Sequence, residues 1–447
     1  MADQSFSAEN FRKILDIENR KGIYLEGRFF PEVKSITEKI QRYRAEIREK
    51  KKNRIENEEE IKKLNEEKKI LEEEKEKKLT DELQKTSETV IKANYKIEFK
   101  KVDTPDIKSI YIIDRSSPKH YFALKQIQQN LSKLYSVKQA NRSEIVNQVK
   151  FLLNDRFPKY VLRTDINDFY ETIPHSKILE KIDGDNLLSP LSKKILRKIL
   201  NEYKDKSGSK KGIPRGVGVS AYLAELYMRK IDDEIVKQND ITYYARYVDD
   251  IIIIFTPKPD DQNIDYKKII KRIIEENYEL TLNEDKTFIF DLRNEDESYP
   301  MDFLGYKITF GLEEIKIELT EKKFEKYKER LKLAFNHYKN LSKVNEKKAR
   351  KILVKRIRFL TGNTRLLNNK KNILTGIYYS NNQLTEYDYL KRLDSSLRAR
   401  INTHIKLPQV QARLKKYSFV EGYKTKRFSP FNTRELSEIM KIWKKRF

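Results

Sequence analysis

Val33, Ile36, Ile40, Tyr43 and Ile47 recur at steps of three and four residues, which places them on one stripe of a helix. From Val33 to Leu83 there is no Gly or Pro, and Glu, Lys, Arg and Asn dominate. The stripe falters at KKNRIENEEE and resumes at Ile61, Leu64 and Leu71. This pattern predicts an antiparallel charged helical hairpin or short coiled coil, turning near Asn53 to Asn57. A docking arm and a solvated spacer are equally open readings of it.

Further along, residues 88–160 mix short β-like runs such as SIYIID with the helical periods of ALKQIQQNLSKL and EIVNQVKFLL. Residues 161–310 carry most strand-like runs and half of the chain's Gly and Pro. Basic helical patterns return from 320, where Phe324, Tyr327, Leu331, Phe335 and Tyr338 form one apolar face.

The run YARYVDDIIIIF, from Tyr244 to Phe255, breaks the ordinary logic of a sheet core. ITYYARYV reads as a strand, and IIIIF as a second one buried on both faces. Between them a tight hairpin should carry Asp249 and Asp250 at its tip. Carboxylates held that close repel, and both stay ionised only if a cation shares them. Hard oxygen ligands on a rigid turn suit Mg²⁺. Asp232-Asp233 lies in a charged helical pattern and Asp260-Asp261 in a loop, and both read as solvated.

YVLRTDINDFYETIPH places Asp165 at the end of another β-like run. Two-metal phosphoryl transfer needs carboxylates converging from separate strands, and Asp165 and Asp249 supply them. Between these acids, KGIPRGVGVSAYLAELYM sets Gly212, Gly216 and Gly218 around Pro214 and Arg215. That is a loop whose backbone can approach a ligand, running into an amphipathic helix.

Charge narrows the partner. Lys plus Arg number 95 against 69 Asp plus Glu, a formal charge of +26, which favours nucleic acid first and an anionic membrane second. The absence of cysteine excludes thiolate metal sites and a Cys nucleophile. His120, His175, His337 and His404 are too scattered for an imidazole metal site. No apolar run approaches the roughly 18 residues of a membrane span, and the N-terminus lacks a secretory apolar core, so the expected location is cytoplasmic.

The order of motifs resembles the reverse transcriptase family of right-hand polymerases. DINDFY is similar to its motif A, GIPRGVGVS to motif B, YVDD to motif C, LTLNEDKT to motif D and FLGY to motif E. The resemblance implies an α+β right-hand fold with fingers, palm and helical thumb, besides the charged hairpin. Its expected divisions are an N-terminal extension at 1–90, fingers at 91–160, palm at 161–310 and basic thumb at 311–447. It implies that Asp165 and Asp249 bind two Mg²⁺ ions, with Mn²⁺ as an alternative metal. Asp250 assists, and the Ile166 carbonyl completes a metal shell. Tyr170 matches the steric gate that favours deoxynucleotides, and Gly216 packs under the nascent base pair. Lys286 matches a candidate proton donor to pyrophosphate. Phe303, Leu304 and Gly305 match the primer grip.

Lys138 and Arg142, one helical turn apart, fall where the family has basic finger residues that hold triphosphate. Arg215 stands where many relatives have Gln, which puts its template or nucleotide contact in question. Lys351, Lys355, Arg358 and Arg365 lie among apolar residues, and such a segment can track phosphates.

Nothing after residue 310 resembles an RNase H or endonuclease constellation. The layout is most similar to bacterial reverse transcriptases of the abortive-infection and retron-like defence groups. QSFSAENFRKILDIENRKG and the hairpin resemble one subgroup, the type 3 defence-associated systems, which encode two reverse transcriptases side by side. The implied function is RNA-directed DNA synthesis in antiphage defence. Its implied partners are a non-coding RNA template, dNTPs, the DNA product and a second reverse transcriptase subunit in an oligomeric assembly, without a membrane. Template-independent or protein-primed synthesis and a catalytically silent RNA-binding scaffold stay open as alternatives.

Overall fold

The computed structural model describes residues 3–21, 24–53, 57–104, 107–114, 116–137, 140–155, 157–258, 264–293, 297–311, 314–366 and 373–443. Lys138, the Asp260-Asp261 pair, the middle of the predicted 53–57 turn and the last four residues lie outside them. The chain passes repeatedly between two units. One comprises Met1–Gln139, Ile166–Lys237 and Lys268–Leu282; the other comprises Ala140–Asp165, Gln238–Lys267 and Asn283–Phe447. Residues 161–310, the expected palm, are shared between them.

In the first unit Ser7 caps α1 (Ala8–Arg20) by accepting from the Asn10 N–H at 3.3 Å. After α2 (Glu26–Phe29), the charged stripe forms α3 (Pro31–Lys50) and α4 (Glu58–Ile91). Arg44 pairs with Glu72 at 2.7 Å and Glu32 with Lys78 at 2.5 Å, so the two helices run antiparallel. Val33, Ile36, Ile40 and Ile47 are buried as the pattern requires. The exposed ion pairs fix register more than stability. Strands β1 (Phe99–Thr104) and β2 (Ile107–Ile113) pair antiparallel ahead of α5 (Pro118–Leu134). Buried Glu18 joins α1 to α5, accepting from Lys125 at 3.2 Å and the Tyr121 hydroxyl at 3.1 Å.

The second unit begins with α6 (Arg142–Leu153), capped by the Asn141 side chain. Next is β3 (Tyr160–Asn167), whose residues through Asp165 belong to this unit and whose last two belong to the first. The first unit then takes α7 (Phe169–Thr172), α8 (His175–Gly184), α9 (Pro190–Ser207) and α10 (Ser220–Val236), the last carrying Asp232-Asp233. The glycine-bearing loop between α9 and α10 is tied to α7 and its exit. Gly212 N donates to Ile173 O and Ile213 N to Tyr170 O, each at 2.7 Å.

Back in the second unit, β4 (Ile241–Tyr247) and β5 (Asp250–Phe255) form a hairpin, and β5 pairs antiparallel with β3. Ile251 to Phe255 are all buried, as an uninterrupted apolar run predicts. α11 (Tyr266–Lys271) passes into the first unit, where β6 (Thr281–Leu282) pairs with Ile166 and Asn167. In the second unit again, β7 (Phe288–Asp291) pairs with the first half of β3. A three-stranded antiparallel sheet follows: β8 (Ser298–Phe303), β9 (Tyr306–Gly311) and β10 (Lys316–Leu319).

The rest of the second unit comprises α12 (Glu321–Ser342), α13 (Glu346–Thr361), β11 (Asn363–Leu366), β12 (Ile373–Gly376), α14 (Asp388–His404), α15 (Pro408–Lys415), α16 (Phe419–Lys424) and α17 (Thr433–Met440). Phe324, Leu331 and Phe335 of α12 share one core with Leu353 and Ile357 of α13 and Leu390 and Leu397 of α14. The β11–β12 hairpin departs from the purely helical expectation. Its strands are too short for a period-two signal. Gly376, at φ +135°, lets it close: a Cβ there would meet Gly362 O at 2.4 Å.

Candidate metal and catalytic site

Tyr247 and Asp250 pair across a two-residue turn, Val248-Asp249. The expected tip held both aspartates. Instead Asp250 is the first residue of β5, drawn into the sheet because it faces Tyr247 on one side and Asp165 on the other. Val248 adopts φ +62°, a region that crowds a β-branched side chain at a cost of about 1–3 kcal/mol. Arg246 holds the turn by donating from Nη1 to Val248 O at 3.0 Å. Burial of Ile251 to Phe255 contributes about 2 kcal/mol per side chain, so the strands outweigh the strain at their tip.

This register brings Asp165, Asp249 and Asp250 together, with one carboxylate oxygen from each lying within 4.8 Å of the others. Asp165 is buried and the other two are half-buried. Burial, then the charge of Asp165, pushes the Asp249 carboxyl above the usual carboxylate range. Burial also raises Asp250, against the opposing pull of Arg163.

Two side-chain cations answer this charge. Lys286, in a 3₁₀ turn at Glu284–Lys286, donates from Nζ to Asp165 Oδ1 at 2.9 Å. Buried Arg163 donates from Nη2 to Asp250 Oδ1 at 2.6 Å and from Nη1 to the Lys286 carbonyl at 2.8 Å. Among the described residues no ion pair joins Asp249. An all-oxygen, all-carboxylate donor set with surplus negative charge fits a hard divalent cation, which Asp165, Asp249 and Asp250 would hold.

Arg163 was missed in the sequence although a signal was there. It lies two residues before Asp165 on β3, and alternate strand residues share a face. The shape of the site is fixed further by Asn283 N donating to Asp165 O at 2.8 Å, and by Thr164 and Thr287 hydroxyls 2.7 Å apart.

The remaining candidates have definite places. Ile166 is buried and pairs with Leu282 in the first unit. Also in that unit, Arg215 binds Glu171 through Nε at 2.5 Å and stands over the Tyr170 ring, 5.5 Å from its centre. Gly216 has φ +91°, and a Cβ there would meet Tyr111 O at 2.7 Å. The close approach that needs this glycine is therefore to strand β2.

In the second unit, Phe303 and Leu304 are buried, and Leu304-Gly305 forms the turn between β8 and β9. Arg142 donates from Nε to Leu304 O at 2.7 Å, so its guanidinium is committed to the backbone. Lys351 and Arg365 are exposed. Lys355 pairs with Glu435 at 3.2 Å, and Arg358 lies over Phe431, 5.4 Å from the ring centre.

Two outcomes follow from these charges. The raised carboxyls of Asp249 and Asp250 mean that the folded chain holds their protons more tightly than the unfolded chain. Their contribution to stability is fully present below the ordinary range near pH 4 and is lost as pH rises through the raised values. In chelator at neutral pH, Asp249→Asn should raise Tm by about 2 °C and flatten this loss. Mg²⁺ or Mn²⁺ should stabilise the wild type and leave Asp249→Asn nearly unmoved. A metal-dependent shift of equal size in both would count against the site.

Arg163→Ala leaves Asp250 without its buried partner and should cost about 3–5 kcal/mol, read from denaturant unfolding midpoints. A change under about 1 kcal/mol would mean that Arg163 is dispensable to the cluster.

Residues 116–308 match the family described as Reverse transcriptase (RNA-dependent DNA polymerase). Among curated proteins none matches the chain. Among solved structures, apo telomerase from Candida tropicalis is 15% identical with a TM-score of 0.39, covering 78% of this chain and 61% of that one. Telomerase from Candida albicans, in complex with a fragment of telomeric RNA, is 13% identical with a TM-score of 0.37, covering 80% and 62%. The chain thus spans about three fifths of the length of these telomerase chains. Residues 116–308, which include the three clustered aspartates, carry the similarity to the reverse transcriptase family.

Proposed function

We propose that this chain is an RNA-directed DNA polymerase acting by two-metal nucleotidyl transfer. The observation that carries the reading is the cross-strand pair Asp165–Asp250 with Asp249 beside it, three carboxylates converging from two strands and a turn. Two Mg²⁺ ions, when bound there, supply the Lewis acidity that a primer 3′ hydroxyl needs to attack an α-phosphate and that departing pyrophosphate needs to leave.

The chain's own groups set the stage for that chemistry. Asp165 and Asp249 hold the ligand oxygens, and the sheet fixes their spacing before substrate arrives. Arg163 opposes the burial that raises the Asp250 carboxyl and holds it toward β3. Lys286 occupies Asp165 through an ammonium that a bound cation would displace. Once released, it can donate a proton to the pyrophosphate oxygen. In the first unit, the Tyr170 ring under Arg215 is the candidate gate against a sugar 2′ hydroxyl.

On this reading residues 91–160 act as fingers, 161–310 as palm and 311–447 as thumb, with exposed Lys351 and Arg365 toward phosphate. The template is a dedicated non-coding RNA, and the setting is antiphage defence in the cytoplasm beside a second reverse transcriptase subunit. Support for that setting is the likeness of the opening segment and the charged hairpin to the defence-associated group.

Primer extension by the purified chain on an RNA template tests the proposal. Incorporation of dNTPs with Mg²⁺ is expected, falling about 10³-fold or more in Asp249→Ala. Incorporation that survives the substitution, or its absence in the wild type with co-purified RNA supplied, would reject the reading.

A further inference from the structure

Two cations converge on one turn of the second unit, and among the described residues no carboxylate pairs with either. Leu304 and Gly305 join β8 to β9 with positive φ at both positions, +45° and +73°, the geometry of a tight hairpin. Arg142, the first residue of α6, donates from Nε to Leu304 O at 2.7 Å and from Nη1 to Ser380 O at 3.3 Å. Its guanidinium also stands 4.8 Å from the centre of the Tyr306 ring. Lys323 of α12 lies 4.6 Å from the centre of the same ring and donates to Asn381 Oδ1 at 2.9 Å.

Among the described residues, neither cation enters an ion pair. Burial, then the charge of Arg142, pushes the Lys323 ammonium down to about 7. A Cβ on Gly305 would meet Lys323 Cε at 2.9 Å and Arg142 Nη2 at 3.4 Å, so the glycine makes room for both. Like charges drawn together and away from water are unfavourable unless they hold something. Here they hold the carbonyl of Leu304 and the face of Tyr306, from helices far apart in the sequence.

We propose that Arg142 and Lys323 are positioning residues that fix the Leu304-Gly305 turn for the primer strand, and that Arg142 is not a triphosphate ligand. The assignment of that turn to the primer rests on the polymerase reading above. The grip on the turn itself does not.

The test uses the full-length chain and the variants Arg142→Ala, Arg142→Lys and Lys323→Met. Hydrogen exchange of residues 298–311 should quicken about tenfold in Arg142→Ala, with β4 and β5 unchanged. Affinity for a primer–template duplex should fall about tenfold, while KM for dNTP stays within about twofold. Arg142→Lys should restore part of the affinity, because it keeps one donor and the charge but loses the fork. Lys323→Met, similar in length, should loosen the same segment.

A raised KM for dNTP with unchanged primer affinity and exchange would overturn the proposal in favour of phosphate binding. If Arg142→Ala unfolds, the other two variants decide, and no selective change at 298–311 in either overturns it. A wild type without synthesis would end the polymerase reading, while exchange would still decide whether these cations hold the turn.

Discussion

Repulsion among Asp165, Asp249 and Asp250 is the constraint on which the second unit turns. Three carboxylates sit where a sheet would otherwise be apolar, and burial raises the cost of charging two of them. The protein tolerates this because the strands beneath are stable without them. Ile251 to Phe255 are buried along β5, and β3 pairs on both edges. The rigidity that makes the repulsion tolerable also makes the site useful, since ligand oxygens that cannot drift apart need no reorganisation to receive an ion.

The surrounding cations divide by role. Arg163 is buried between two partners and is part of the scaffold. Lys286 is half-exposed and bonds Asp165 through a flexible stem, so it can leave. Arg142 and Lys323 form a second positive pair, spent on a turn rather than on carboxylates. Net charge alone does not separate these uses. The chain's +26 includes residues that fold it, such as Arg163, and exposed ones, such as Lys351 and Arg365.

The acidic centre was legible because acids flanked by apolar strands contradict the local pattern and demand a reason. The charged hairpin was legible because its helical stripe runs uninterrupted through α3. What the sequence hid was mostly contact between distant segments. Arg142 was expected to hold triphosphate, and only the fold sets it against Leu304. Gly216 looked open to a ligand, and the fold fills its space with Tyr111. Asp250 was read as part of a turn tip, because pairing with Asp165 on one edge and Tyr247 on the other is invisible along a single strand. The β11–β12 hairpin is too short to show a period, and a buried Asn363 anchors it through partners far along the chain.

The most direct test of the central claim is anomalous diffraction from crystals of the chain grown with Mn²⁺. A peak is expected at the Asp165 and Asp249 carboxylates, with Lys286 Nζ displaced from Asp165. No peak at saturating Mn²⁺, with Lys286 still bonded to Asp165, would contradict it: the three carboxylates would then be balanced by the protein's own cations and not built to hold a metal.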